Sequence, residues 1–231
     1  MSEKKVIVTF GGTEEPIDGV RSISNFSTGA TGAFISDYFA GRKAEVFSVH
    51  AKRAKLPEKP VIRFPFTDFS SLDSLLKKLL SENYFHCIVH LAAVSDYSVD
   101  TVTAGQKCYS RGSAEKINSE IHEEITIRLK RNFKILDRLK MYSSNKDIKV
   151  VGFKLTNRAT SEECDLAVKK AFLSQKVDFI VQNELTDISA DRHPAKIYSP
   201  TGLVRTAKNK PEMAEALFDL LFQSSDGIKS I

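Results

Sequence analysis

Short apolar runs rich in β-branched residues alternate with helix-forming stretches along most of the sequence. Residues 6–9 form such a run and lead to a Gly-Gly pair, whereas residues 29–41 and 72–80 carry apolar side chains at helical spacing. Parallel strands need long crossover connections, usually helices, and this requirement produces the alternation. The nearly unbroken apolar run over 85–94 is typical of a central parallel strand that is covered on both faces. The pattern predicts an α/β fold.

Two segments, 96–123 and 185–206, interrupt the alternation. The first is polar, contains two glycines and lacks periodicity. Within the second, β-branched runs flank the turn Ser199-Pro-Thr-Gly202, which predicts a β-hairpin. A lone hairpin is marginally stable in water, so we expect it to pair with a second copy as a dimerisation arm. We therefore predict a homodimer of one doubly wound, Rossmann-like domain over 1–231, with two excursions from its parallel sheet.

The composition is that of a soluble globular chain in a reducing compartment. Of its 231 residues, 42% are hydrophobic and 27% are charged, which excludes the collagen-like and disordered classes. No apolar run approaches the roughly 20 residues that span a bilayer, and the N-terminus lacks the apolar core of a signal peptide. Cys87, Cys108 and Cys164 form no C-x-x-C motif. We expect a cytoplasmic protein with no membrane partner.

The chain carries a mild positive charge, because 34 lysines and arginines against 29 aspartates and glutamates give a formal net charge of +5. A nucleic-acid-binding surface normally shows clustered basic residues with aromatic residues among them. The densest basic cluster here, over 50–55, is short and belongs to no helix-turn-helix, RNP or zinc-finger pattern. The charge is explained equally well by small polyanionic ligands such as nucleoside triphosphates, and we predict no nucleic-acid partner.

The loop after the first predicted strand, over 11–32, is the strongest candidate for a phosphate site. It matches neither a P-loop nor the dinucleotide fingerprint. A degenerate form, Ser27-x-Gly29-x-x-Gly32, lies where the first helix begins, so backbone N–H groups and the helix dipole would face a phosphate. Arg21 and Asn25 add a positive charge and a neutral donor to the same loop.

Two other classes of function stay open. An NADP-dependent reductase is compatible with the basic residues after the second strand, but it would need a catalytic Tyr-x-x-x-Lys on a helix, which we do not expect here. A nucleotide-binding module without catalysis is the other alternative. His86 and His90 lie on a predicted strand, where positions i and i+4 are roughly 13 Å apart. We expect both histidines to pack against neighbours, and we assign no metal ligands.

Four motifs occur in order over about residues 5–155. They are GGTEEPIDGVRSISNFSTGATG at 11–32, LAAVSDY at 91–97, EKI at 115–117 and VGFKL at 151–155. Together they resemble phosphopantothenoylcysteine synthetase, also called phosphopantothenate–cysteine ligase. The matching motif begins at residue 6, so the resemblance is to the stand-alone form without the flavin-dependent decarboxylase half, and we expect no flavin.

The resemblance implies an enzyme of coenzyme A biosynthesis that joins L-cysteine to 4′-phosphopantothenate. In this family CTP and Mg²⁺ activate the substrate carboxylate as an acyl-cytidylate, and pyrophosphate and CMP are released. Near the nucleotide base, where the family has lysines, this chain has Ala171 and Gln175, with Lys169 and Lys170 just before them. CTP is the expected co-substrate, as in bacterial-type members, and an ATP-using ligase stays an alternative.

The resemblance also assigns site residues. Lys116 would neutralise the phosphates, Asn25 would serve the use of the acyl intermediate, and Arg21 is its neighbouring arginine. Asp96 and the backbone of 92–94 would hold ribose and base. The expected nucleotide-binding residues are Gly11, Gly12, Thr13, Ser27, Thr28, Gly29, Gly32, Ala92, Ala93, Val94, Asp96, Tyr97, Lys116, Asn132, Phe133 and Phe153.

Overall fold

The structure is a computed structural model that describes residues 4–174, 176–189 and 192–222. The strands are β1 (Lys5–Phe10), β2 (Glu14–Pro16), β3 (Ser22–Ser24), β4 (Glu45–Ala51), β5 (Ile62–Phe66), β6 (Cys87–His90), β7 (Tyr97–Ala104), β8 (Lys107–Ser110), β9 (Ile125–Arg131), β10 (Lys149–Thr156), β11 (Phe179–Glu184), β12 (Ala195–Ser199) and β13 (Gly202–Ala207). The helices are α1 (Ala30–Gly41), α2 (Phe69–Glu82), α3 (Leu139–Tyr142), α4 (Ser161–Ser174) and α5 (Lys210–Phe222), with 3₁₀ turns at Ile135–Arg138 and Leu185–Asp187.

The main sheet has eight strands in the order β13-β12-β11-β10-β6-β1-β4-β5. Its six strands from β11 to β5 are parallel, as the alternation of apolar runs and helices predicts. From β1 the chain builds outward through β4 to β5, and it then returns to β6 and builds the other way. The strand order therefore reverses between β1 and β6, and in open α/β sheets ligands bind beyond the carboxyl ends of the strands at such a switch point.

The two central strands lie in the middle of the main core. In β1, Val6, Ile7 and Val8 have no exposed surface, and all four residues of β6 are buried. The sequence predicts a longer strand over 85–94, but β6 ends at His90. Beyond it, the backbone stays hydrogen-bonded to the loop after β1, where the N–H of Ala93 donates to the carbonyl of Gly11 (2.8 Å). None of the helices in the described ranges is long and apolar enough to cross a bilayer.

The predicted hairpin forms, but it joins the main sheet instead of leaving it. Its strand β12 pairs antiparallel with β11, so β12 and β13 extend the main sheet, and the prediction that 185–206 leaves the sheet is wrong from Ala195 onward. Val204, whose exposure the dimerisation argument needed, packs against the main core. The physical reason is that β11 offers the hairpin an unpaired edge within its own chain.

The true excursion is a second, three-stranded antiparallel sheet made of β8, β7 and β9 in that order, hereafter the small sheet. It ends at Arg131, beyond the predicted boundary at 123. Its buried residues form a cluster separate from the main core, made of Ile17, Val99, Val102, Ala104, Ala114 and Ile117. A two-stranded ribbon of β2 and β3 lies in the loop between β1 and α1.

Candidate functional site

A cavity of about 700 Å³ opens at the switch point of the main sheet. Four stretches of chain form most of its wall: residues 26–32, 90–96, 133–136 and 152–155. The first contains the start of α1 and the second follows β6. The third contains the start of the 3₁₀ turn Ile135–Arg138, and most of the fourth lies in the carboxyl half of β10. Side chains from α4 and β11 close the remaining side.

The amino end of α1 forms one wall of the cavity. Gly29 precedes the helix with a left-handed backbone (φ 72°), which glycine adopts without strain. The backbone N–H groups of Gly29 and Ala30 are directed at the hydroxyls of Ser27 and Thr28, both at 3.4 Å. Gly32 lies against β1 so closely that an added Cβ would come within 2.2 Å of Phe10 Cβ. These glycines bring a helix amino terminus, with its partial positive charge, to the cavity.

Ten of the predicted nucleotide-binding residues line this cavity. They are Ser27, Thr28, Gly29, Gly32, Ala92, Ala93, Val94, Asp96, Phe133 and Phe153. They come from three of the four sequence motifs and from the segment after β9. Ten of the sixteen expected nucleotide-binding residues thus lie on the wall, although their contacts with a nucleotide stay a prediction.

Gly11, Gly12 and Thr13 lie behind the cavity wall instead of on it. The N–H of Thr13 donates to the carbonyl of Ala93 (3.1 Å), and the N–H of Ser95 donates to the hydroxyl of Thr13 (2.9 Å). Gly12 also allows close approach of the loop, because an added Cβ would lie 2.0 Å from the carbonyl oxygen of Asn25. These three residues hold the 91–95 backbone in place.

Asn132 and Tyr97 also lie outside the wall. The side-chain N–H of Asn132 donates to the carbonyl of Ser95 (3.0 Å) and the hydroxyl of Ser98 (2.9 Å), and its backbone N–H donates to the carbonyl of Asp96 (2.9 Å). Asn132 thus ties the entry of the small sheet to its exit. Tyr97 opens β7 and is half exposed.

None of the three predicted catalytic residues lines the cavity, but Asn25 directly precedes the wall segment 26–32. The side-chain N–H of Asn25 donates to the carbonyl of Val94 (3.2 Å), which is part of the wall. Arg21 pairs with the buried carboxylate of Asp18 (2.6 Å). Lys116 is exposed in the loop after β8, which docks on the loop of Arg21. The structure therefore brings the loops of Arg21 and Lys116 together.

The cavity carries more positive charge than the sequence motifs reveal. Lys134, Lys154 and Lys170 line it, against the carboxylates of Asp96 and Glu163, and Lys134 forms an ion pair with Asp96. Lys154 belongs to the VGFKL motif, and Lys170 was noted near the expected base. Lys134 was missed, although it directly follows the expected site residue Phe133, which was a usable signal.

The residues expected near the nucleotide base lie on α4 or just beyond it. Lys170 and Ala171 line the cavity. Gln175 lies outside the described residues.

The histidines behave as packed side chains. Nδ1 of His90 lies 2.8 Å from the Thr9 hydroxyl, and burial lowers the pKa of His90 to about 4. His86 accepts the backbone N–H of Lys5 (3.1 Å), so the two rings serve different neighbours, as expected. In the part of the chain that the structure describes, no three His, Cys, Asp or Glu side chains are grouped to hold a metal ion.

The reductase alternative finds no support in the site. The spacing Tyr-x-x-x-Lys does occur once, at Tyr142 and Lys146, contrary to expectation. However, Tyr142 is the last residue of the four-residue helix α3, so Lys146 lies beyond the helix. The hydroxyl of Tyr142 donates to Asp73 (2.8 Å). Neither Tyr142 nor Lys146 lines the cavity.

Comparison with known families gives a match over residues 1–224, to the DNA/pantothenate metabolism flavoprotein C-terminal domain. The chain belongs to this family. The coenzyme A biosynthesis bifunctional protein CoaBC of Methanocaldococcus jannaschii is 29% identical over 182 residues, which are 79% of this chain and 41% of that protein. The chain spans about half the length of the curated relatives it matches.

Solved structures share the fold. The DNA/pantothenate metabolism flavoprotein from Streptococcus pneumoniae superposes with a TM-score of 0.83 at 31% identity, over 94% of this chain and 97% of that one. A mutant of Cab2 in complex with phosphopantothenate-cysteine gives a TM-score of 0.71 at 20% identity, over 94% and 87%. The family resemblance drawn from the four motifs is confirmed.

Proposed function

We propose that this chain is a phosphopantothenate–cysteine ligase that uses CTP and belongs to coenzyme A biosynthesis. The observation that carries the proposal is the cavity at the switch point, where three of the motifs meet a helix amino terminus and three lysines in a chain of the pantothenate flavoprotein family. The names of its relatives support the pathway, and the Cab2 complex supports phosphopantothenate as substrate class and cysteine as the second substrate.

In the first step, a carboxylate oxygen of phosphopantothenate attacks the α-phosphorus of CTP, and pyrophosphate leaves. Negative charge grows on the phosphoryl oxygens, so fixed positive groups lower the barrier. The amino end of α1 and the lysines Lys134, Lys154 and Lys170 supply that charge from the wall. Lys116 supplies a further cation from the small sheet. The product is an acyl-cytidylate.

In the second step, the cysteine amine attacks the acyl carbon, forms the amide, gives up a proton and expels CMP. The developing oxyanion needs a neutral hydrogen-bond donor. Asn25 lies at the edge of the cavity with its side-chain amide held on the carbonyl of Val94 (3.2 Å), so this donor is already oriented. We therefore assign Asn25 as the hydrogen-bond donor to the acyl oxygen.

The residues of the cavity fit a Mg²⁺ ion that is held mainly by phosphate oxygens. Such ions need only one or two protein carboxylates, and Asp96 and Glu163 are the carboxylates of the wall. The ion would neutralise phosphate charge when bound. In the absence of the ion, Lys134 neutralises the carboxylate of Asp96 through their ion pair.

Two further proposals concern the molecule in its setting. Cys87, Cys108 and Cys164 are free thiols, which supports work in a reducing compartment, and we place the protein in the cytoplasm. We also retain the homodimer as a proposal, without the hairpin as its arm.

The experiment is a pyrophosphate-release assay with phosphopantothenate, cysteine and Mg²⁺, and with either CTP or ATP. We expect release with CTP, and Lys116→Gln should lower its single-turnover rate by about 10²–10³-fold at an unchanged melting temperature. Lys107→Gln, an exposed lysine on β8 of the same small sheet, is the matched control and should retain the rate. No release with either nucleotide would contradict the ligase, and release with ATP alone would change the co-substrate.

A further inference from the structure

Asp18 is a buried carboxylate between the loop of Arg21 and the loop of Lys116. Only 4% of its surface is exposed. Its Oδ1 accepts the backbone N–H groups of Val20 (3.0 Å) and Arg21 (2.8 Å). Its Oδ2 accepts Nε (2.9 Å) and Nη2 (2.6 Å) of Arg21 and the backbone N–H of Ile117 (3.1 Å). Five hydrogen bonds thus converge on one side chain that sequence reasoning did not select.

The same contact holds both backbone polar groups of Ile117. While Asp18 accepts its N–H, Nη2 of Arg21 donates to its carbonyl (2.7 Å). The N–H of Gly19 completes the contact by donating to the carbonyl of Glu115 (2.5 Å). A Cβ at Gly19 would lie 2.4 Å from that oxygen, so the two backbones touch. Lys116 lies between two residues that are held in this way.

The charges in this contact compensate each other. Burial alone would raise the pKa of Asp18, but the hydrogen bonds from Arg21, Val20 and Ile117 outweigh burial and hold the pKa well below its ordinary value. Asp18 is therefore ionised, and Arg21 is half of an ion pair. The positive charge that Arg21 was expected to add to the phosphate loop is thus balanced by Asp18.

We propose that Asp18 is a positioning residue of the ligase reaction, which acts by holding the Lys116 loop through Arg21 and Ile117. The inference rests on the proposed function. A cation placed about 1 Å from its best position can cost on the order of 10²-fold in rate. Any effect of this contact on nucleotide affinity should pass through Lys116, because neither Asp18 nor Ile117 lines the cavity.

The test is a double-mutant cycle on single-turnover pyrophosphate release. Asp18→Asn should lower the rate by about 10–10²-fold, and it should weaken CTP binding in a direct titration by no more than Lys116→Gln does. In the Lys116→Gln background the same substitution should cost nothing further, since residues that act through one another are not additive. Amide exchange at Ile117 and Gly19 should become faster in Asp18→Asn.

Asp178 supplies the matched control. Its carboxylate also accepts a backbone N–H, from Val150 (2.8 Å), and pairs with Lys140 (2.8 Å), but it lies at the amino ends of β10 and β11, opposite the cavity. Asp178→Asn should leave the rate unchanged. Equal loss in both variants, or additive losses in the cycle, would overturn the positioning role and leave the ligase intact.

Failure of the proposed function looks different. If the unaltered protein releases no pyrophosphate, the ligase is wrong, and the positioning role in its reaction falls with it. If it releases pyrophosphate and Lys116→Gln does not slow it, Lys116 has no catalytic role and the proposal for Asp18 is overturned. Amide exchange at Ile117 that is unchanged by Asp18→Asn would overturn the proposal whatever the rates.

Discussion

At the scale of single residues, Asn25 is where charge decides the outcome. Asn25→Asp keeps the size of the side chain, removes its N–H donor to Val94 and adds a negative charge next to the expected acyl oxygen. We expect pyrophosphate release to persist while amide formation stalls. Single-turnover measurement of both products checks this. Asn209→Asp, at a residue that does not line the cavity, keeps an oxygen to accept the N–H of Glu212 and is the control; equal loss of both products in Asn25→Asp would contradict the assignment.

His90 gives the fold a dependence on pH. Burial lowers its pKa to about 4 in the folded chain, against an ordinary value of 6.5. Between these two values the unfolded chain binds the proton and the folded chain does not. The free energy of unfolding is therefore highest above about pH 6.5 and decreases as the pH falls towards 4. The expected loss is on the order of 3 kcal/mol.

Urea unfolding of the unaltered chain and of His90→Met, which cannot titrate, measures this effect. The free energy of unfolding of the unaltered chain should fall more steeply between about pH 6.5 and pH 4. Parallel curves for the two proteins over that window would show that His90 is not the cause.

Gly12, Thr13 and Asn132 show the limit of prediction at this scale. The sequence places these residues near a site, but Thr13 and Asn132 hydrogen-bond to the 91–96 segment behind the wall, and Gly12 forms an isolated β-bridge with Ala93. Whether a residue faces a cavity or supports it depends on the path of another loop, which is distant in sequence. Asp18 was missed for the same reason, because its partner Ile117 is 99 residues away.

At the scale of elements, α1 contains two glycines with opposite roles. A Cβ at Gly32 would lie 2.2 Å from Phe10 Cβ, whereas at Gly41 the nearest atom is the end of the flexible Lys59 side chain, at 3.2 Å. Gly32→Ala should cost about 1–3 kcal/mol of stability and displace the amino end of α1 from the cavity, with weaker CTP binding. Gly41→Ala should be neutral or stabilising. Denaturant unfolding and CTP titration check both, and similar behaviour of the two variants would contradict the close packing.

Local sequence patterns predict where a helix or strand forms better than they predict which other strand it pairs with. The expected helix over 29–41 forms within one residue of α1, and the helical spacing over 72–80 falls inside α2. The hairpin also forms, yet its sequence could not show that β12 would find an edge at β11. Alternation indicates a strand from its own residues, whereas pairing depends on an element elsewhere in the chain.

At the scale of the whole molecule, the homodimer needs a surface other than the hairpin. Phe26 is fully exposed at the cavity, and Val20 and Ile23 of the same loop are exposed as well. Exposed apolar groups of this kind mark interaction surfaces. We expect sedimentation to give about twice the chain mass of 25.8 kDa, and Phe26→Ser to shift it towards the monomer. Leu173→Ser, which alters an exposed leucine on α4, is the control, and a monomeric unaltered chain would contradict the prediction.

The two separate cores predict that the small sheet opens before the main sheet. Native-state hydrogen exchange should give a lower opening free energy for amides of β7 and β9 than for those of β1. Val102→Ala, in the small core, should lower both values equally, because its contacts are lost in either opening. Ile7→Val, in the main core, should lower only the value for β1, by about 0.5–1.5 kcal/mol, because the main core stays packed when the small sheet opens. If Ile7→Val lowered both values, the chain would open as one cooperative unit, and the loop of Lys116 would be as stable as the sheet beneath the cavity.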